Sequence, residues 1–264
     1  MPEVDLGDVT IHYEEAGREK PLSLVFCHGL GGSGASFLSD LEFWAQYFRV
    51  VAWDNRGLGE SSAAAKYNLP LYASDLARLM RHLGIARAIV YGVSWGGVLV
   101  QQFALDYPEM CAAIVLDSTS SETNVAASEN WYRRGEVARL GAKAVVGESG
   151  PAFAGQTNSA ANMLAEGVTV QPQHLDSYVA QSRAVAGLRE HPFTPRLKEI
   201  TCPALVVGGG QDGTAGAGGS VILARNLPKA RLEIYQDAGH GIYRYKREEF
   251  RQLLLDFARE NGLL

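Results

Sequence analysis

Three cysteines in 264 residues, Cys27, Cys111 and Cys202, are too few and too unevenly spaced for a disulfide framework or a thiolate metal site. Each sits beside an apolar run, which points to buried free thiols. The chain also lacks any basic run of five or more residues, and its net charge is −5. Nothing in that pattern supports nucleic-acid binding. No apolar run approaches the roughly 18 residues of a membrane span. The start, Met1-Pro2-Glu3-Val4-Asp5, has no basic-then-apolar secretion pattern. The expectation is a cytoplasmic protein. What is present is ordinary for a globular chain: 47% hydrophobic and 20% charged residues, enough for one large core with an insertion.

Glycine is abundant, and its placement carries the chemistry. Gly92-Val93-Ser94-Trp95-Gly96-Gly97 follows the apolar run Ala88 to Val93 and precedes a helix-spaced run, Val98 to Tyr107. A strand entering a helix through so short a turn strains the middle residue and pushes it outward. Gly92 and Gly96 are needed because a Cβ at either place would crowd the turn. Ser94 is therefore the candidate nucleophile. An unassisted serine hydroxyl is a poor nucleophile, so a base, an acid and an oxyanion site must lie elsewhere.

The chain order supports this. Val9 to Ala16, Leu22 to Cys27, Arg49 to Trp53, Ala88 to Val93 and Cys111 to Leu116 read as strands, with helical patterns over 36–48, 72–83 and 98–107. Such alternation marks a mainly parallel sheet covered on both faces. It fails over 118–195, a stretch rich in Ala, Gly, Ser and Asn with helical pieces near 131–140 and 175–188. It resumes with strands at 204–207 and 230–235 and helices at 220–226 and 248–260. The expected fold is α/β, with about eight strands. Residues 1–117 and 196–264 are expected to form the core, and 118–195 an insertion.

Among six histidines, His240 stands apart. Asp237-Ala238-Gly239-His240-Gly241 lies between the last strand and the last helix, on the same sheet edge as Ser94, and its glycines let the loop turn the imidazole inward. The acid belongs at a strand end between the two in sequence. Asp212 is favoured by the Ser, Asp, His order; Asp117 is the second choice; Asp237 is too close to His240. The backbone N–H groups of Trp95, at the helix start, and Leu30, in a glycine-rich loop, would stabilise an oxyanion. His28 is expected to brace that loop. Gly29-Leu30-Gly31-Gly32-Ser33-Gly34 also satisfies a dinucleotide fingerprint, with Asp54 about 20 residues on. The same pattern recurs at Gly208 to Gly213, so it discriminates poorly in a chain with 29 glycines.

With His28-Gly29-Leu30-Gly31, Asp54-Asn55-Arg56-Gly57-Leu58-Gly59-Glu60-Ser61, the Ser94 turn, Asp212 and Gly239-His240 in order, the chain resembles the α/β-hydrolase superfamily. The likeness spans everything outside 118–195, which the resemblance implies form a lid over the site. Small esterases, enol-lactone hydrolases and cofactor-free perhydrolases are closest in character, and the Ser94 turn with Gln101-Gln102-Phe103-Ala104 is also similar to intracellular polyhydroxyalkanoate depolymerases. One departure is Gly213 to Gly219, where relatives usually carry a proline-containing turn. The resemblance implies a serine hydrolase of a small carboxylic ester or lactone, without metal or organic cofactor, through an acyl-enzyme. A carbon–carbon hydrolase or perhydrolase would use the same triad, and a slow-turnover ligand receptor would keep the same pocket. Trp131, Tyr132, Phe153, Met163, Tyr178 and Phe193 are the candidate pocket residues.

Overall fold

In the sheet the apolar runs line up side by side. The computed structural model describes residues 2–140 and 170–264. Its strands are β1 (Glu3–Asp5), β2 (Thr10–Ala16), β3 (Ser23–Cys27), β4 (Arg49–Trp53), β5 (Ala88–Val93), β6 (Cys111–Asp117), β7 (Ala204–Gly209) and β8 (Ala230–Tyr235). Their order is β1-β2-β4-β3-β5-β6-β7-β8. The β1–β2 and β2–β4 pairs are antiparallel and the rest parallel. Strands β3, β5, β6 and β7 are buried throughout, which is why they read as continuous apolar runs rather than alternating ones. Among the described residues the sequence pattern misses only β1, whose three residues are too few to show a period.

The helices are α1 (Leu38–Trp44), α2 (Leu69–His82), α3 (Trp95–Asp106), α4 (Val125–Leu140), α5 (Leu175–Gly187), α6 (Gly216–Asn226), α7 (Ile242–Tyr245) and α8 (Arg247–Glu260). One core face joins the sheet to α2 and α3 through Tyr72, Leu76, Val98 and Phe103. The other joins it to α1 and α8 through Trp44, Phe250, Leu254 and Phe257. Each such side chain, once fully buried, contributes about 1.5–3 kcal/mol. Asn68 caps α2 by accepting from the Leu71 amide at 2.9 Å.

Between β6 and β7 the chain leaves the sheet, and α4 packs against α5. Helix α4 begins six residues before the expected start, because Asn124 accepts from the Ala127 amide at 2.8 Å and supplies an N-terminal cap. Helix α6 likewise begins within the Gly213–Gly219 run rather than at Ser220. Of the three free cysteines, Cys27 and Cys111 are buried, but Cys202 is only half-buried, a correction to the expectation for all three.

Candidate functional site

The parallel strands β5, β6, β7 and β8 deliver four loops to one edge. At the end of β5, Ser94 takes φ 56° and ψ −120°, a left-handed conformation that L side chains rarely adopt. The turn leaves no space for alternatives. A Cβ on Gly92 would come within 2.3 Å of the Gly96 carbonyl oxygen, and one on Gly96 within 2.3 Å of the Cys27 carbonyl oxygen. Strain of this kind persists only where surrounding contacts hold it. Here the Ser94 amide donates to the Asp117 carbonyl oxygen at 2.9 Å, and the Thr119 hydroxyl donates to the Ser94 carbonyl oxygen at 2.7 Å.

His240 follows β8. Its Nδ1 lies 2.9 Å from Asp212 Oδ2, and Asp212 follows β7, the neighbour of β8 in the sheet. With Nδ1–H donating, Nε2 carries the lone pair. The other Asp212 oxygen accepts from the amides of Thr214 and Ala215 at 2.7 and 3.0 Å. Burial acts to raise the Asp212 carboxyl, but the His240 bond and charge and these two amides outweigh it and hold it below the usual carboxylate range. The run Gly213 to Gly219, which departs from the turn usual in relatives, is thus tied to the carboxylate through Thr214 and Ala215.

Asp117 occupies a different place. It is fully buried, and its carboxylate accepts from the Tyr91 hydroxyl (2.8 Å), the Ser118 hydroxyl (2.9 Å) and the amides of Ile242 (2.9 Å) and Tyr243 (3.2 Å). The Ser118 hydroxyl in turn accepts from the Gly241 amide at 2.9 Å. Burial pushes the Asp117 carboxyl up despite these donors. Residues 117–119 therefore hold both the Ser94 turn and the loop after His240. The sequence offers Asp117 only as the second-choice acid at a strand end; the linking role depends on register, which a single sequence does not display.

The glycine-rich loop after β3 lies beside the Ser94 turn: a Cβ on Gly29 would sit 3.8 Å from the Ser94 Cβ. His28 is buried beneath it. Its Nδ1 pairs with the Gly29 carbonyl oxygen at 2.8 Å, and its Nε2 accepts from the Asn55 side-chain amide at 2.9 Å. Burial lowers the His28 pKa, which keeps the ring neutral and suits that pattern. The amides of Leu30 and Trp95 have no acceptor among the described residues. Neighbouring Gly31 donates instead to Gln181 Oε1 on α5 at 2.9 Å. Asp54, the acid that the dinucleotide fingerprint would require for a ribose, accepts from Gly34, Glu60 and His12 and so closes its own loop.

A cavity of about 360 Å³ opens over Ser94 and Trp95. Trp131 lines it. Three other aromatic candidates do not. Tyr132 is 50% exposed and stacks against Arg183 on the outer surface. Tyr178 is buried against Gly31, its hydroxyl accepting from Arg134 at 2.7 Å. Phe193 lines a separate, more open groove along α5. On the inserted helices, the side chain one residue from a cavity-facing position points elsewhere. Phe153 and Met163 lie outside the described residues. Among the described residues no cluster of His, Cys, Asp or Glu could hold a metal ion, and no helix is long and apolar enough to cross a membrane.

A family model described as the alpha/beta hydrolase fold matches residues 23–246. The chain belongs to that family. It is 29% identical over 265 residues to the candidate carbamate hydrolase RutD of Stutzerimonas stutzeri, covering 95% of this chain and 97% of that one. It is also 29% identical over 278 residues to the 2-hydroxy-6-oxo-6-phenylhexa-2,4-dienoate hydrolase of Comamonas testosteroni, covering 98% and 95%. The enol-lactonase from Burkholderia xenovorans LB400 superposes with a TM-score of 0.79 at 25% identity, covering 98% of this chain and all of that one. The members of the family to which this chain is similar are hydrolases, but of carbamate, carbon–carbon and lactone bonds, so membership establishes a hydrolase without choosing the bond.

Proposed function

We propose that this chain is a serine hydrolase of carboxylic esters or lactones. Ser94 attacks the carbonyl carbon while His240 takes the hydroxyl proton, Asp212 orients the imidazole, and the acyl group is carried on Ser94. The Leu30 and Trp95 amides receive the oxyanion. His240 then returns its proton to the departing alkoxide, and water releases the acid by the same steps in reverse order. The observation that carries this reading is the 2.9 Å His240–Asp212 contact on the edge where strained Ser94 faces an open cavity. Residues 118–195 are proposed as the lid.

Carbon–carbon hydrolysis by the same residues is the second reading, favoured by the 29% identity to the dienoate hydrolase. A fluorophosphonate probe tests both, since each requires an activated Ser94. Covalent labelling is expected at Ser94 and is expected to vanish in Ser94→Ala. Labelling of another serine, with turnover intact in Ser94→Ala, overturns the mechanism. A panel of esters, lactones and dienoates then separates the bonds. Labelling without turnover of any of them would indicate a receptor.

A further inference from the structure

The cavity over Ser94 has two unlike walls. One is apolar: Val98, Trp131, Val185, Leu188 and Ile222. The other is a run of hydroxyl and amide residues after β6, from Ser118 to Asn124, with Thr214 beside it. Its one ionisable lining residue is Glu122; no lysine or arginine lines the cavity among the described residues. Glu122 is half-buried and fixed: the Thr194 hydroxyl donates to its Oε2, and the Ser120 hydroxyl donates to its carbonyl oxygen at 2.8 Å. The adjacent Thr123 hydroxyl is buried with no partner among the described residues. A buried hydroxyl without a partner is costly unless something that enters the site bonds to it. Arg134, one turn beyond Trp131, directs its guanidinium to the Trp131 ring and the Tyr178 hydroxyl. Residues 141–169 contain one lysine and two glutamates, so they add no cationic excess to the chain's charge.

We infer that this site selects uncharged substrates of mixed polarity, with an apolar portion against Trp131 and Val185 and a neutral hydroxyl or amide against the 118–124 wall, and that Glu122 excludes substrates bearing a carboxylate. The inference rests on Ser94 being the nucleophile. A carboxylate entering this cavity meets a fixed like charge and, among the described residues, no lining cation, and such a juxtaposition discriminates between partners more than it strengthens the right one. The dienoate hydrolase is named for a carboxylate, so exclusion of carboxylates here would set this chain's substrate apart from that one by charge.

The test uses matched nitrophenyl esters: a hexanoate, the methyl-capped monoester of glutarate, and the free monoester of glutarate. The capped ester is expected to exceed the free acid by about tenfold or more in kcat/KM. The ratio should shrink with added salt and shrink at least threefold in Glu122→Gln. Equal or better use of the free acid by the wild type overturns the inference, as does an unchanged ratio in a Glu122→Gln protein whose circular dichroism is native. Should that variant not fold, the wild-type ratio and its salt dependence decide. Labelling rates at Ser94 by fluorophosphonates with neutral and carboxylate tails give the same comparison without turnover. Absence of any Ser94 labelling defeats the serine-hydrolase reading itself, whereas labelling with reversed charge preference defeats only the charge selection.

Discussion

Two carboxylates end neighbouring strands at the same edge, and their surroundings separate their roles. Asp212 accepts from His240; Asp117 accepts from Tyr91 of β5, from Ser118 and from the Ile242 and Tyr243 amides, and not from a histidine. Asp212→Asn is expected to lose about 10³–10⁴-fold in kcat with circular dichroism unchanged, because an amide favours the wrong histidine tautomer. Asp117→Asn is expected to lose about 1–3 kcal/mol in urea unfolding while keeping at least a tenth of the activity, because it leaves a buried donor unmatched. The opposite pattern would move the acid to Asp117. The folded Asp212 carboxyl lies below its unfolded value of about 3.9. Its ionisation therefore stabilises the fold above that pH, and this stability is lost as pH falls through the folded value. Below about pH 4, stability should fall more steeply with acid for the wild type than for Asp212→Asn. The approach of Asp212 to His240 on the edge that carries Ser94 was legible because chain order and strand ends are written in one dimension. The Asp117 network was not, since two of its donors, the Ile242 and Tyr243 amides, come from more than 100 residues away.

At the scale of elements, α5 is bonded to the core loops along one polar face. His174, just before it, approaches the Gly59 carbonyl oxygen at 3.2 Å, the Ser177 hydroxyl donates to the Arg56 carbonyl oxygen at 2.7 Å, and Gln181 accepts from Gly31. Gln181 is fully buried. Gln181→Leu should release the loop that carries the Leu30 amide and lower kcat about tenfold, with a parallel loss of boronic acid affinity; Gln181→Glu, which keeps the acceptor, should retain more of both. Beneath this contact Arg56 is buried against Asp75, with further bonds to Asp8 and the Lys66 carbonyl oxygen. Removing one partner of a buried pair leaves an uncompensated charge, so Asp75→Asn should destabilise by about 3–5 kcal/mol in urea titration. The helical period showed that α5 exists but not which face it buries, because Ser177, Gln181 and Ser182 look like a solvent face in sequence. Their burial is a tertiary fact.

At the scale of the whole molecule, the sheet was the most legible feature and the cavity the least. Continuous apolar strands can only be buried on both faces, and that leaves few arrangements. A cavity is the space left between separately placed elements, and no residue pattern encodes it. Of the aromatics expected there, only Trp131 is found lining it among the described residues. The volume of about 360 Å³ suits a short to medium acyl chain. With neutral nitrophenyl esters, kcat/KM should rise from acetate to chains of about four to eight carbons, since each buried CH₂ offers about 0.8 kcal/mol. A flat or falling series would indicate a tighter pocket and a lactone-sized substrate.

Ser94 and His240 share a common datum. Both are located from residues 117–119, one through the Asp117 carbonyl oxygen and Thr119, the other through the Asp117 carboxylate and the Ser118 hydroxyl. Two parts measured from one reference keep their spacing when the frame around them flexes, because the error is common to both. Small distortions of the sheet or movements of the inserted helices should leave Ser94 and His240, the proposed nucleophile and base, in register. Asp212 lies outside that datum: it is carried by β7 and the start of α6. Heating should therefore weaken catalysis first at the acid, seen as a drift in kcat below the melting transition, while fluorophosphonate access to Ser94 persists until the sheet itself gives way.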